Sequence, residues 1–243
     1  MSSDHLDDFL QHWPYEPDAL CVRLLKGSDG RDVIQLRVDM GVLQLETSGR
    51  PDGWRPEGFE TLLALLSKQE AEDPDFELDE ETCIEIDREF VQFYHRRVAW
   101  LRLQRFDRAI RDADHTLALM DFCRDHSPCE EWTFQHEQHR AFVIFHRTQA
   151  AALLAIEEQV PEDAIEAIND GLEAIEENFI DMGWEDQFES DELVERLMEL
   201  RESLRNDFSI EKTLNEQLAD AVATEQYELA ARLRDQMSQR GTT

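Results

Sequence analysis

The sequence predicts a mostly α-helical protein: a small N-terminal α+β module, then helical repeats, then a C-terminal helical hairpin. Three observations predict this fold class. Two β-favouring runs flank a glycine-rich turn near the N-terminus, helical periodicity of apolar residues persists from Thr82 onward, and two short apolar stripes lie near the C-terminus. The expected parts are the module over 1–68, an acidic linker over 69–81, a helical-repeat domain over 82–206 and the hairpin over 210–240.

The charge of the chain limits its choice of partners. Its 243 residues include 56 acidic and 24 basic side chains, and the formal net charge is -32. Such a field repels a phosphate backbone, so direct binding of nucleic acid is not expected as the primary role. The hydrophobic content of 41% is sufficient for a packed core and argues against general disorder.

The N-terminal residues and the cysteines indicate the compartment. "MSSDHLDDFLQHW" lacks the basic and apolar regions of a secretory signal, and no run approaches the roughly 18 apolar residues of a membrane span. The four cysteines form no CxxC motif and no dense framework. We therefore expect a cytoplasmic protein with reduced thiols and no membrane association.

The N-terminal module is predicted from three strand-like runs and one helix. "ALCVRLL" and "DVIQLRV" flank "GSDGR" and predict an antiparallel hairpin, and "GVLQLE" predicts a third strand. "FETLLALLSK" has the pattern of a short amphipathic helix. The loop between them, "TSGRPDGWRPEG", is interpreted as an irregular turn, with a binding element formed by Trp54, Arg50 and Arg55 as the alternative.

Two runs in the middle of the chain predict pairs of antiparallel helices. "FVQFYHRRVAWLRLQRFDRAIRDADHTLALM" is interrupted at "LQRFD", and "FHRTQAAALLAIEEQVPEDAIEAINDGLEAI" repeats the pattern with a turn expected to be slightly longer. The first run resembles a tetratricopeptide repeat, with Phe93, Tyr94, Ala99 and Trp100 at matching positions. Arg97 stands where that family prefers a small residue, so we expect wider helix packing or a side chain that extends outward.

Arginine is concentrated in the first of these runs, and its role has two interpretations. The side chains could pair with neighbouring carboxylates of the same chain, which is the favoured interpretation because i, i+4 pairs form readily, or line a groove for an acidic peptide tail. The residues are Arg96, Arg97, Arg102, Arg105, Arg108 and Arg111.

The C-terminal stretch "TLNEQLADAVATEQYELAARLRDQM" predicts two short helices separated at "ATEQ". A hairpin of this size cannot bury its apolar stripe unaided, so we expect another surface to cover it. The predicted protein-binding residues are Leu214, Leu218, Ala221, Val222, Tyr227, Leu229, Ala230, Leu233, Arg234, Asp235 and Met237.

This stretch resembles the UVR motif, the helical hairpin of the B and C subunits of bacterial nucleotide-excision repair and of some Clp-type chaperones and their regulators. The resemblance rests on the run "YELAARLRD". It implies docking onto a protein partner, another UVR-type hairpin or a second copy of the chain. The alternative is that the hairpin caps the helical repeats, but the charges of Arg232, Arg234 and Asp235 within the stripe favour docking, because such charges select partners.

No motif predicts catalysis, a cofactor or a metal site. The segment "CRDHSPCEEWTFQHEQH" lies where a loop between repeats is expected, and its spacing lacks the pairing of structural zinc sites. The weak metal candidates in it are Cys123, His126, Cys129, His136 and His139. The prediction is a non-catalytic interaction or adaptor protein that binds through the hairpin and the repeat surface. The alternatives are a regulator associated with excision repair or a Clp-type chaperone or protease, and an enzyme that uses the N-terminal module.

Overall fold

The computed structural model describes residues 6–73, 75–212, 214–224 and 226–240, without the side chains of a few of these residues. The strands of this part of the chain are β1 (Val22–Lys26), β2 (Asp32–Val38) and β3 (Gly41–Glu46). Its helices are α1 (Asp7–His12), α2 (Leu62–Glu72), α3 (Glu80–Arg102), α4 (Phe106–His126), α5 (Glu130–Glu137), α6 (Arg140–Glu157), α7 (Pro161–Asp181), α8 (Glu192–Phe208), α9 (Leu214–Ala223) and α10 (Tyr227–Arg240). The predicted fold class is confirmed, because a small antiparallel sheet is followed by helices.

The chain forms two compact units, Met1–Met198 and Glu199–Thr243. The sheet and the helices through α7 belong to the first unit, and α9 and α10 belong to the second. The division into four parts that we derived from the sequence stays a prediction. Within the described residues, no helix combines the length and the apolar character needed to cross a membrane.

The sheet has the strand order β1-β2-β3, and both pairings are antiparallel. Ile34 of the central strand pairs with Leu24 on one side and with Leu45 on the other. Ile34 and Leu45 are buried in a core that includes Trp100 of α3 and Phe106 of α4. The sheet therefore packs on the first helical pair, and burial of its apolar face supports three short strands that would be only marginally stable alone.

The helical pairs α3–α4 and α6–α7 are joined by three-residue turns with the same backbone geometry. Gln104 and Gln159 occupy the middle of these turns at φ 55° and φ 64°. In each case the next residue donates its backbone N–H to a carbonyl in the last turn of the preceding helix, from Arg105 to Trp100 and from Val160 to Ala155. The prediction of a longer second turn is wrong, because Pro161 already begins α7.

Arg97 lies inside the first helical pair, so the prediction that it extends outward is wrong. Its side chain is buried and donates from Nη1 to Thr116 Oγ1 on α4 at 2.9 Å. Counted from the two equivalent turns, Ala152 and Gly171 are the residues of the second pair that correspond to Arg97 and Thr116. A Cβ atom at Gly171 would collide with the side chain of Thr148. Small residues thus allow close approach in the second pair, whereas an arginine fills the first.

The segment between the two pairs contains α5, and the predicted inter-repeat loop is therefore largely helical. The equivalent turns are 55 residues apart, from Gln104 to Gln159. This spacing exceeds the roughly 34 residues of a tetratricopeptide repeat, partly because α5 intervenes. The resemblance to that repeat stays a prediction.

Candidate functional site

The C-terminal hairpin has a small apolar core of its own. Ala221 of α9 is buried with Ala230 and Leu233 of α10, and the half-buried Leu218 packs against them. The backbone N–H of Gln226 donates to Ala221 O at 2.7 Å and closes the turn between the helices. Alanine at the facing positions permits close approach of two short helices.

The large apolar side chains at the turn end of the hairpin point away from this core. We call Val222, Tyr227 and Leu229 the turn-end apolar group; they are 48%, 67% and 42% exposed. All three lie within one helical turn of the connection between α9 and α10. The apolar stripe is thus divided, because its small members and Leu233 face inward while its bulky members near the turn face solvent.

Charged residues flank the turn-end apolar group along α10. Glu228, Arg232, Arg234 and Asp235 are exposed. Exposed charges of both signs beside apolar side chains form the usual rim of a protein-binding surface, where they affect partner choice more than total affinity.

Ionic contacts join the hairpin to the C-terminal part of α8 within the same compact unit. Glu216 of α9 accepts a hydrogen bond from Arg205 Nη2 and lies 3.4 Å from Arg201 Nη1. Arg205 also pairs with Glu202 at 2.6 Å. Ser209 adopts φ 57° just after α8 and redirects the chain towards the hairpin. These contacts could not be predicted from the sequence, because the two arginines and Glu216 lie on different helices and carry no recognisable spacing.

The predicted binding residues fall into three groups. Those brought together in the interior of the hairpin are Leu218, Ala221, Ala230 and Leu233. Those on its surface are Val222, Tyr227, Leu229, Arg234 and Asp235. The side chains of Leu214 and Met237 lie outside the described part of the structure. The binding role of all these residues stays a prediction.

The weak metal candidates have different environments in the structure. Cys123 is buried on α4, and burial raises the pKa of its thiol, whereas Cys129 is exposed. His126 lies 3.5 Å from Glu70, and His136 Nε2 lies 3.0 Å from Asp87 Oδ1. His139 is exposed and immediately precedes α6 as its N-cap residue. Among the described residues, no three His, Cys, Asp or Glu side chains converge as a metal site would require.

The arginines of the first helical run have tertiary partners: Arg96 pairs with a carboxylate of the same chain, as favoured above, but that carboxylate lies on another helix and not one helical turn away. Arg96 forms a bidentate pair with Asp112 on α4, at 2.7 and 2.8 Å. Arg102 donates to Leu20 O, and Arg111 donates to Thr47 O. These arginines thus connect α3 and α4 to each other and to the N-terminal module, an arrangement that helical spacing does not indicate.

The loop that carries Trp54 is held to α3 by Arg50. This arginine is buried, pairs with Asp52 and Glu85 at 3.2 and 3.1 Å, and lies 4.5 Å from the ring of Trp54. Its guanidinium is therefore part of the internal packing of the loop, which agrees with the interpretation of this segment as a turn.

The hairpin is thus a two-helix element with a small core of its own and an exposed apolar turn end. Residues 212–239 match the family model of the UvrB/uvrC motif, and this match confirms the resemblance to the UVR motif. The match covers a short C-terminal part of the chain and indicates a role in protein interaction or one related to DNA repair. Comparison with curated proteins and with solved structures gives no match.

Proposed function

We propose that this chain is a non-catalytic interaction protein whose C-terminal hairpin docks a helical partner through its turn-end apolar group. The observation that supports the proposal is the division of the apolar stripe. Within the stretch that matches the UvrB/uvrC motif, the hairpin core uses Ala221, Ala230 and Leu233, while Val222, Tyr227 and Leu229 remain exposed.

Physical chemistry favours an association role for these side chains. Exposed tyrosine and leucine lose little conformational freedom when they are covered, and tyrosine is enriched among residues that dominate binding energy. A partner hairpin that covers Tyr227 and Leu229 removes apolar surface from water at about 25 cal/mol per Å². The partner is a second hairpin of this type, carried by another protein or by a second copy of the chain.

The helical pairs α3–α4 and α6–α7 provide a second surface in this proposal, similar to that of tetratricopeptide repeats. An adaptor needs two such surfaces to bring two partners together. The match to the UvrB/uvrC motif also favours a second candidate function, regulation of excision repair through a repair subunit, with the net charge of -32 opposing direct contact with DNA. A Clp-type chaperone or its regulator is the corresponding alternative partner.

The test replaces the exposed apolar side chains while preserving the hairpin core. The double variant Tyr227→Glu with Leu229→Glu should weaken binding to purified UVR-motif proteins, or self-association, by on the order of tenfold or more, because charged side chains resist burial. The matched control is Gln226→Glu with Ala231→Glu, which adds two carboxylates at exposed positions and removes no large apolar group. Isothermal titration calorimetry and sedimentation velocity measure the binding, and circular dichroism measures helical content.

Equal weakening by both double variants would assign the effect to charge and contradict the proposed docking surface. Unchanged binding by Tyr227→Glu with Leu229→Glu would contradict it as well. Leu233 is unsuitable for this test, because it is 5% exposed inside the hairpin and its replacement by glutamate would unfold the element.

A further inference from the structure

A cavity of about 470 Å³ lies in the first compact unit, between α3, α4, α5 and α6. Its size is that of a small-molecule site, for which roughly 300–1,000 Å³ is usual. The apolar part of its wall is formed by Phe90, Val91, Tyr94, Met120, Phe142 and Val143. The polar groups that line it are Asp87, Arg97, Thr116, Gln135, His136 and His139.

Arg97 is the residue of this cavity whose environment favours an anionic ligand. Its side chain is 1% exposed, yet its described partners are neutral: Thr116 Oγ1 at 2.9 Å and His146 Nδ1 at 3.4 Å. Within the described part of the chain, no carboxylate forms an ion pair with it. Buried charges in proteins are normally paired, since removing a charge from water is costly.

Other buried arginines of the described chain show how unusual this arrangement is. Arg96, adjacent in sequence and equally buried, has both oxygens of Asp112. Arg50 has Asp52 and Glu85, and Arg37 donates to several backbone carbonyl oxygens. Arg97 thus differs from these arginines, because a cavity lies beside it where the others contact a carboxylate or several backbone carbonyl groups.

The contacts of Arg97 leave its guanidinium without a hydrogen-bonded anion: the charge of Asp112 raises the pKa of Arg97, but the oxygens of Asp112 are bonded to Arg96. Thr116 donates its own hydroxyl proton to Asp112 O, so its oxygen is free to accept from Arg97. Burial, and then the charge of Arg97, lower the pKa of His146 to about 4, so its imidazole is neutral near pH 7 and accepts through Nδ1. Burial lowers the pKa of Arg97 to about 10, and the guanidinium remains protonated at that pH.

The carboxylate at the rim of the cavity is already engaged elsewhere. Asp87 Oδ1 accepts from Trp132 Nε1 at 3.0 Å and lies 3.0 Å from His136 Nε2. Asp87 therefore holds α5 against α3 instead of neutralising Arg97. Because α5 contributes Gln135 and His136 to the wall, it closes the space on a side where a simple pair of helical hairpins would leave an open groove.

We propose that this cavity binds a small organic carboxylate, whose carboxylate group pairs with Arg97 and whose apolar group lies against Phe90, Tyr94 and Phe142. The guanidinium supplies a planar, permanently charged donor that suits a carboxylate, and the aromatic wall suits an aromatic or aliphatic chain. The limited volume favours a free acid of modest size over an extended peptide. This site is independent of the docking surface on the C-terminal hairpin.

The test uses the full chain with phenylacetate and octanoate as probes, each compared with its primary amide. Calorimetry and ligand-observed NMR should show binding of the acids on the order of tenfold or more tighter than the amides, because the charged hydrogen bond to Arg97 is lost in the amide. Arg97→Met should abolish this preference. Arg88→Met is the matched control, because Arg88 lies on the same helix with its side chain 62% exposed. It should bind as the unaltered protein does.

A second variant keeps the charge of Arg97 and reduces the volume of the cavity. Val91→Trp places a larger side chain in the cavity wall while retaining Arg97, and it should weaken binding of both acids; this result decides the matter if Arg97→Met does not fold. Equal affinity of acids and amides, retained binding in Arg97→Met, or equal loss in Arg88→Met would overturn the proposal. The proposal would also be overturned if peptides with a free C-terminal carboxylate bound and the free acids did not.

Discussion

Arg96 and Arg97 are adjacent, equally buried side chains on α3, but their different partners lead us to expect different effects on stability when each is replaced. Arg96 shares two short hydrogen bonds with Asp112, which is itself buried. Arg97 contacts only neutral side chains at hydrogen-bond distance in the described structure. Breaking a buried ion pair from one side leaves an uncompensated charge, whereas removing an unpaired charge leaves none.

Arg96→Met is therefore expected to lower the free energy of unfolding by about 3–5 kcal/mol, since Asp112 loses its hydrogen-bonded counter-ion in the protein interior and keeps only Arg111 Nε at 3.9 Å. Arg97→Met is expected to change it by less than about 1 kcal/mol, because methionine fills much of the same volume and no anion is left behind. Urea unfolding followed by circular dichroism and tryptophan fluorescence measures both values.

A loss in Arg97→Met as large as that in Arg96→Met would contradict this account of the two residues. It would mean that the hydrogen bond to Thr116 contributes far more than the roughly 0.5–1.5 kcal/mol of an ordinary one. The double variant provides the control, since it should cost about the sum of the two single changes if the side chains act independently.

The turns after α3 and α6 carry glutamine in a left-handed backbone conformation, which most side chains avoid. Gln159 has φ 64°, and Glu158, one residue earlier, has the ordinary value of φ -80°. Gln159→Gly is expected to raise stability by roughly 0.5–1 kcal/mol, because glycine adopts this conformation without strain. Glu158→Gly is the matched control and should lower stability. Differential scanning calorimetry measures both shifts.

Gln104→Gly should reproduce the gain of Gln159→Gly, because Gln104 occupies the equivalent position at φ 55°. A loss of stability in both glycine variants would show that the glutamine side chains contribute more than the backbone conformation costs.

The turns of the two helical pairs show how much of a single helical hairpin could be predicted from the sequence. Apolar periodicity located both helical pairs, but it did not reveal that the two turns have equal length.

The C-terminal hairpin shows a similar limit. Helical spacing identified the apolar stripe and its interruption, and both helices are present in the structure. It did not distinguish Leu233, which is buried, from Leu229, which is exposed, because residues four positions apart lie on the same face of a helix and spacing alone gives them the same environment. Only the position of α9 decides which part of the stripe is covered within the hairpin.

For the whole molecule, local sequence patterns predicted the fold class. They did not predict which side chains from distant parts of the chain contact each other. The strands and helices were predicted from the periodicity of apolar residues and from turn-forming residues, and both depend only on neighbouring positions in the chain. The pairing of Arg96 with Asp112, the burial of Arg97 and the attachment of Arg205 to Glu216 depend on residues brought together by packing. The cavity beside Arg97 could not be anticipated, because the sequence pattern placed a loop where α5 forms a wall.

The net charge of -32 makes a prediction that belongs to the whole chain. The outer face of α7 is acidic, and this helix contains no Lys or Arg to compensate it; its exposed acidic residues are Glu162, Asp163, Glu166, Asp170, Glu173, Glu176, Glu177 and Asp181. Repulsion among such charges destabilises the compact state. Raising KCl from about 10 to 300 mM shortens the screening length from about 30 Å to below 10 Å, so the Tm should rise by several °C.

Chloride is the appropriate salt for this measurement, because sulfate would also stabilise the protein by exclusion from its surface. Sucrose at equal osmolality is the uncharged control and should not reproduce the dependence at low ionic strength. A fall of Tm with KCl would mean that screening of attractive contacts, such as the exposed pair of Arg147 with Asp114, outweighs relief of repulsion. Exposed pairs of this kind contribute about 0–1 kcal/mol each, so the excess of acidic side chains should prevail.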